Sequence, residues 1–471
     1  MIIMKKSFLK GLLLILFSSM YFACTNGIDN LVDTGIPIIN SSPALVADAK
    51  ISSNFLGWGN IGDTTIRVKA DKDVLPALTG KKANLSTVTI NTEGGFRLLS
   101  VGGSLSAGFR NGGLYREGQL TAFPNLIARQ MGIPFNQPLF DATDGNGSGY
   151  KTLAGFEPIA SFKMVTNNLG YQDNAKADKL KKFTDVAVDN YAFPQVGYNL
   201  GYQDSNEKMS QKFSDRIFGN NQNLPYFNKD QLKRETCDFF IFEVGFDDLV
   251  SGIAIGGGGG LPNESLFFGT GGSEVFQSFI NNKAKGVLLN VPDALDLPYF
   301  NQISNEKINK LTGVLIRVQT SYGSEDYRSF NPATDKLIPT PTVEKLMRGE
   351  FKGLVPLSDR DVLSNVPGDY EWNYMNPGSY NDVLISRKAK ANNLPVVDIY
   401  GLYKKIIAGT YTTDDGVKVD ANWAKGNFFS ADGIYPTAFG QAVIANEVIK
   451  TINQHYKLAV PLVDTRFFLK K

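Results

Sequence analysis

A serine in a glycine-rich turn is the first residue in this chain whose setting suggests chemistry. Ser104 stands in Gly102-Gly103-Ser104-Leu105-Ser106-Ala107-Gly108, directly after the apolar run 96–101. A tight strand-to-helix turn of this kind lifts a hydroxyl over a sheet edge and aims a backbone N–H at a developing oxyanion. Hydrolysis by such a serine also needs a base for its proton and a group to orient that base. Acidic residues are at hand: Asp247 and Asp248 follow the apolar run 239–244, and Asp432 lies three residues before Tyr435. An imidazole is not. The single histidine, His455, falls between five and six helical turns beyond Tyr435, roughly 30 Å along a helix axis. It is expected on the surface near a helix C-terminus. A tyrosine with its pKa at about 10 stays protonated near neutrality, so Tyr435 cannot act as that base.

Each of these residues also has a plainer role. Gly-Gly-Ser makes a tight turn whose hydroxyl caps the following segment, and Asp432 caps the helix that Pro436 opens. Asp247, Asp248 and Asp432 would suit a hard cation only if they converged, and no spacing requires that. Cys237 precedes an apolar run and reads as a buried core thiol. No cysteine/histidine cluster is present, and neither a metal nor a cofactor is expected.

The elements that must position these residues alternate from 95 onward. Apolar runs at 96–101, 183–188, 239–244, 286–291 and 395–399 read as buried parallel strands, which are continuously apolar instead of alternating. Helical periodicity covers 121–131, 380–392 and 437–454. This βαβ order predicts an α/β fold, a three-layer α/β/α sandwich with a mainly parallel sheet. Long insertions at about 136–182, 255–272 and 301–374 interrupt it. Loops leaving the C-terminal strand ends of such sheets carry the ligand site, so the insertions could cover or replace one. Residues 24–93 read as a tether and N-terminal layer, with strand-like pieces at 65–68 and 87–90.

Residues 1–23 read as an address. Lys5, Lys6 and Lys10 precede an apolar core at 11–17 and Tyr21-Phe22-Ala23-Cys24. That core is shorter than the ~20 residues of a membrane-spanning helix, which favours a cleavable signal. A small residue before Cys24 resembles a bacterial lipobox, with lipid on the Cys24 sulfur. Acylation would leave Cys237 without a disulfide partner. Formal charge is +2, and without the three lysines of 1–23 it is −1, which gives no electrostatic reason to expect nucleic acid.

The motifs together resemble the SGNH/GDSL hydrolases, in the form of GDSL-like bacterial lipoproteins of the Bacteroidetes type. Gly102 to Leu105 resembles the Gly-Asp-Ser-Leu block, with Gly103 where aspartate belongs. Gly113-Leu114-Tyr115-Arg116-Glu117-Gly118-Gln119, Phe123-Pro124 and Phe135-Asn136-Gln137-Pro138-Leu139 resemble the lipoprotein subgroup. Phe239 to Asp248 is similar to the strand ending in Gly-x-Asn-Asp, 285–293 to a further strand, and 429–437 to the closing Asp-Gly-x-His-Pro block. The likeness runs in order over about 95–464, so 94–471 is expected to form one SGNH/GDSL-hydrolase-like, flavodoxin-like domain. It implies Ser104 as nucleophile and Asp432 as orienter of the base. Tyr435 replaces the base histidine, Asp247 replaces the oxyanion asparagine, and Gln195 replaces a glycine donor. A carboxylate has only acceptors to offer an oxyanion, and losing one donor typically costs about 10²–10³ in rate.

Ser104 and Asp432 are therefore relict catalytic positions, and the residues favour a non-catalytic binding or scaffold protein. The resemblance implies an outer-membrane lipoprotein at the cell surface or periplasmic face. It would belong to an outer-membrane complex for β-barrel protein assembly, secretion or transport. The aromatic segments 266–268 and 370–374 are candidate contacts. A serine carboxylester hydrolase and a glycan- or lipid-binding module are the competing readings.

Overall fold

The structure is a computed structural model that describes residues 51–52, 74–76, 83–90, 95–177, 179–184, 187–194, 205–218, 229–254, 272–320, 324–364, 377–423 and 425–469. The signal, Cys24, the strand-like piece 65–68, Gln195, nearly all of 255–272 and the segment 370–374 lie outside these residues.

The strands run in chain order as β1 (Ile51–Ser52), β2 (Leu98–Gly102), β3 (Tyr150–Gly155), β4 (Ser161–Val165), β5 (Phe239–Glu243) and β6 (Lys285–Leu289). They continue as β7 (Val314–Gln319), β8 (Tyr327–Ser329), β9 (Asp335–Leu337), β10 (Gly353–Leu357), β11 (Val362–Ser364) and β12 (Val396–Val397). The helices that matter to the site are α1 (Ser104–Ala107), α2 (Arg116–Leu120), α3 (Phe123–Met131), α4 (Phe246–Ile253) and α5 (Gly272–Asn281). They are followed by α6 (Pro341–Met347), α7 (Ile399–Ile407) and α8 (Ala438–Tyr456).

A four-stranded parallel sheet in the order β12-β6-β5-β2 makes this an α/β fold. Every residue of β2 and β5 is buried, as their unbroken apolar sequences require. Successive strand residues face opposite sides. Phe239 packs on Tyr456 of α8, whereas Phe240 and Phe242 pack on Phe276 of α5. Helices therefore lie against both faces of β5.

Of the strand expected at 183–188, the described residues 183–184 and 187–188 are not in a strand. A single parallel bridge at Asn190 extends the sheet beyond β2 instead. The Ser100 N–H donates to the Asp189 carbonyl and the Tyr191 N–H to the Ser100 carbonyl, both at 2.8 Å. Arg97 anchors that segment through Asp189 at 2.9 Å and also pairs with Glu235, ahead of β5, at 2.8 Å. Counting this bridge, the chain visits the sheet positions in the order 2-1-3-4-5. The direction of travel reverses between β2 and β5, and such a switch point opens a crevice at the C-terminal strand ends. The piece 87–90 is also no strand: 86–88 forms a turn that buries Val88.

Two of the expected insertions are folded. Within 136–182, β3 and β4 form an antiparallel pair, and β1 adds to β4. Within 301–374, β10-β7-β8 form one small sheet and β9 pairs with β11. These strands enclose a separate core with Ile316, Val318, Leu346, Val355 and Leu357. Its helix α6 starts where a sequence rule would place it: the Thr340 hydroxyl accepts the Val343 N–H, and Pro341 occupies the first turn. Among the described residues no helix is long and apolar enough to cross a membrane.

Candidate functional site

The turn after β2 is held by a carboxylate from the neighbouring strand. Glu243 ends β5, and its Oε2 accepts the Gly103 N–H at 3.0 Å and the Ser106 hydroxyl at 3.0 Å. A Cβ on Gly102 would come 2.6 Å from Ser106 Oγ and 2.7 Å from the Glu243 carbonyl, so only glycine fits there. Burial, with Asp247 close by, pushes the Glu243 carboxyl up to about 7. Asp248 is pushed up to about 8 by burial and by the charges of Asp247 and Glu243.

Ser104 and Asp247, 143 residues apart, meet at the switch point. Asp247 Oδ2 accepts both the Ser104 N–H and the Ser104 hydroxyl at 2.8 Å. Its Oδ1 accepts the Tyr435 hydroxyl at 2.7 Å. The side-chain cap expected of Ser104 is absent: Gly103 occupies the N-cap of α1, and the hydroxyl is spent on Asp247. Gly103 also gains a physical reason. A Cβ there would lie 2.7 Å from Asp247 Oδ2, so the Asp247 carboxylate fills the space that a side chain at 103 would enter.

Tyr435 stands edge-on to Phe109 at 5.4 Å and to Phe246 at 5.7 Å. Burial, reinforced by Asp247, holds its phenol well above the usual value. The proton therefore stays on the tyrosine, which donates it to Asp247 Oδ1.

Asp432 does not cap a helix at Pro436, because α8 begins two residues later and is capped by Thr437. It closes the turn before the helix instead. Its Oδ1 accepts the Ile434 and Tyr435 N–H groups at 2.9 Å, and its Oδ2 accepts the Gly112 N–H at 3.0 Å. Gly433 adopts a left-handed φ of +69°, and a Cβ there would meet the Trp423 ring at 2.6 Å. Asp432 thus shapes the backbone that presents Tyr435.

The block 110–121 is a clasp over this turn. Arg110 donates to the Tyr115 hydroxyl at 2.9 Å and to Thr121 Oγ1 at 2.6 Å. Asn111 donates from its backbone to Ser430 Oγ and accepts the Ala431 N–H. The Tyr115 ring stacks on Tyr150 of β3 at 4.3 Å. Under this cover Ser104, Asp432 and Tyr435 have no exposed surface, and Asp247 keeps 3%.

His455 is exposed in the last turn of α8. Its neighbour Tyr456 donates to the Gly286 carbonyl and packs on Phe239, at the starting ends of β6 and β5. Ser104 follows the opposite end of β2. Cys237 is a buried free thiol, as expected. Asp247, Asp248 and Asp432 do not form the cation site weighed from sequence. Among the described residues no group of three or more His, Cys, Asp or Glu side chains is placed to hold a metal ion.

Two site residues escaped sequence reasoning. Glu243 had a signal, a carboxylate closing an all-apolar strand beside the serine turn. Lys151, fully buried in β3, had none. No family model, no curated protein and no solved structure matches this chain.

Proposed function

We propose that this chain is a non-catalytic binding or scaffold protein built on an SGNH-hydrolase-like, three-layer α/β/α frame and held at the outer membrane by lipid on Cys24. One observation carries the non-catalytic part: both hydrogens that a nucleophilic serine would use are given to the Asp247 carboxylate. The hydroxyl hydrogen is what a base would remove, and the backbone hydrogen is what an oxyanion would need. Asp247 is an acceptor in the place of a donor, and Tyr435 tightens it with a third hydrogen.

The 2-1-3-4-5 strand order, with helices on both faces of β5, supports the SGNH-like frame. A kept core with its site sealed, and insertions folded over it, is what reuse for binding would leave. Membrane attachment, surface exposure and membership of an outer-membrane assembly, secretion or transport complex rest on the sequence of 1–24 and on the resemblance. Purified wild type and Ser104→Ala should hydrolyse short-chain p-nitrophenyl esters at the same background rate. A serine-dependent difference would restore the hydrolase reading. Labelled palmitate should enter the wild-type chain in cells and not Cys24→Ala; equal incorporation would remove the lipid anchor.

A further inference from the structure

The two folded insertions meet around a cavity of about 530 Å³, none of whose lining residues belongs to the Ser104 site. One wall is the β3–β4 turn at Glu157 and Pro158. The other is formed by residues between 304 and 314 and by 347–352 at the end of α6. The walls are fastened to each other. The Lys307 ammonium donates to the carbonyls of Phe156 at 3.1 Å and Pro158 at 2.7 Å, and Ile159 enters the small core of the second insertion. A cavity of this size suits a small-molecule ligand.

Its floor is apolar. Leu311, Val314 and Phe351 pack on the small core yet stay half-buried, and the buried Met347 also lines the cavity. Its rim is charged, and unevenly: Lys307, Lys310, Arg348 and Lys352 stand against Glu157 and Glu306. Glu306 is committed to Lys310 at 2.8 Å. Arg348 reaches Glu344 at 3.4 Å, with Glu350 exposed beside it, and Lys352 makes no ion pair among the described residues. Backbone carbonyls at the end of α6 are already occupied, since the N–H groups of Arg348, Gly349 and Glu350 donate to Glu344, Leu346 and Lys345. The larger cavity beside α7, of about 910 Å³, has no such bias: Lys418 and Lys425 line it against Asp296 and Asp420.

We propose that the junction of the two insertions is a binding site for an anionic amphiphile, a phosphate or carboxylate head on an aliphatic chain. The chain lies on Leu311, Val314, Met347 and Phe351, and the head meets Arg348 and Lys352 at the rim. A guanidinium matches either head with two parallel hydrogen bonds. Exposed ion pairs contribute little on their own, so a bare phosphate ion is held weakly and the apolar floor supplies most of the affinity. The excess of cations then selects a charged head over a neutral one. This site goes beyond the reading of Ser104 and does not rest on it, because neither the frame nor a lipid on Cys24 enters the argument.

The test is calorimetric titration of the full chain with decyl phosphate, decanoate and decanol, each below the concentration at which it aggregates, and with inorganic phosphate as the bare head. One equivalent of decyl phosphate or decanoate should bind, and the tighter of the two identifies the head. The double variant Arg348→Glu with Lys352→Glu reverses two charges at the rim and should weaken that binding about tenfold. Binding of neither anion, or equal affinity in wild type and variant, overturns the site. Should the variant fail to fold, wild type alone decides. Decanol and inorganic phosphate must each bind at least about tenfold more weakly than the preferred anion, and a smaller gap ends the proposal.

Discussion

The first turn of α4 and the start of β3 both bury charge-bearing side chains, and they surround them in different ways. Around Asp247 the fold supplies donors: one backbone N–H, one serine hydroxyl and one phenol converge on a single carboxylate. Around Lys151 it supplies an aromatic face, the buried Asp432 carboxylate and the half-buried Glu344. A buried charge is tolerated where hydrogen bonds replace its hydration. The first arrangement holds the turn after β2 through three hydrogen bonds to Asp247. In the second, burial lowers the Lys151 amine from its ordinary value to about 7.

The sharpest way to break this contrast is Gly103→Asp, which would drive a side chain into the Asp247 carboxylate now 2.7 Å from the position of its Cβ. Steric overlap and a second buried acid should cost more than about 4 kcal/mol, and thermal denaturation should find the variant largely unfolded. Next in size is a pH effect. Glu243 is raised from 4.5 to about 7, so the folded chain holds its proton more tightly than the unfolded chain does. Stability should be full below about 4.5 and fall by about 3 kcal/mol as pH rises through 7. Asp248 adds a loss of the same sign, complete above about 8. Because only Oε2 of Glu243 takes the turn's hydrogens, Glu243→Gln can keep them and should flatten its share of the slope in urea titrations. Lys151→Met should flatten the opposite, alkaline slope, where stability rises with pH. Removing one donor from Asp247 by Tyr435→Phe should cost about 1.5–3 kcal/mol, since that bond ends on a charged group. Ser104→Ala should cost only about 1 kcal/mol, because the backbone N–H of residue 104 still reaches Oδ2.

How much of this was legible follows the same physics. Strands β2, β5 and β6 are buried on both faces, so their apolar runs announced them. The run at 183–188 looked similar, but among the described residues there only Asn190 bridges to β2, and the segment is held by the Arg97–Asp189 ion pair. The strands of the second insertion are short and half exposed, as in β7 and β8, and such segments carry no clear period. Ser104, Asp247, Asp432 and Tyr435 were all visible as departures from a pattern. Their joining was not, because a contact across 143 residues depends on sheet order. Gly103 and Asp247 were read as two separate departures from the motif they resemble, and the geometry links them: the Asp247 carboxylate fills the space that a side chain at 103 would enter. Lys151 stood among ordinary polar residues, and nothing in Tyr150-Lys151-Thr152 distinguishes a buried lysine from a solvated one.

The most direct measurement of the central claim is labelling by a fluorophosphonate, which forms a stable bond only with a serine whose hydroxyl can be activated. Intact-mass and peptide analysis of the folded wild-type chain should find Ser104 unmodified, at the level of Ser104→Ala. A stoichiometric adduct on Ser104 would mean that Asp247 does not hold the hydroxyl, and the locked-serine account would be wrong.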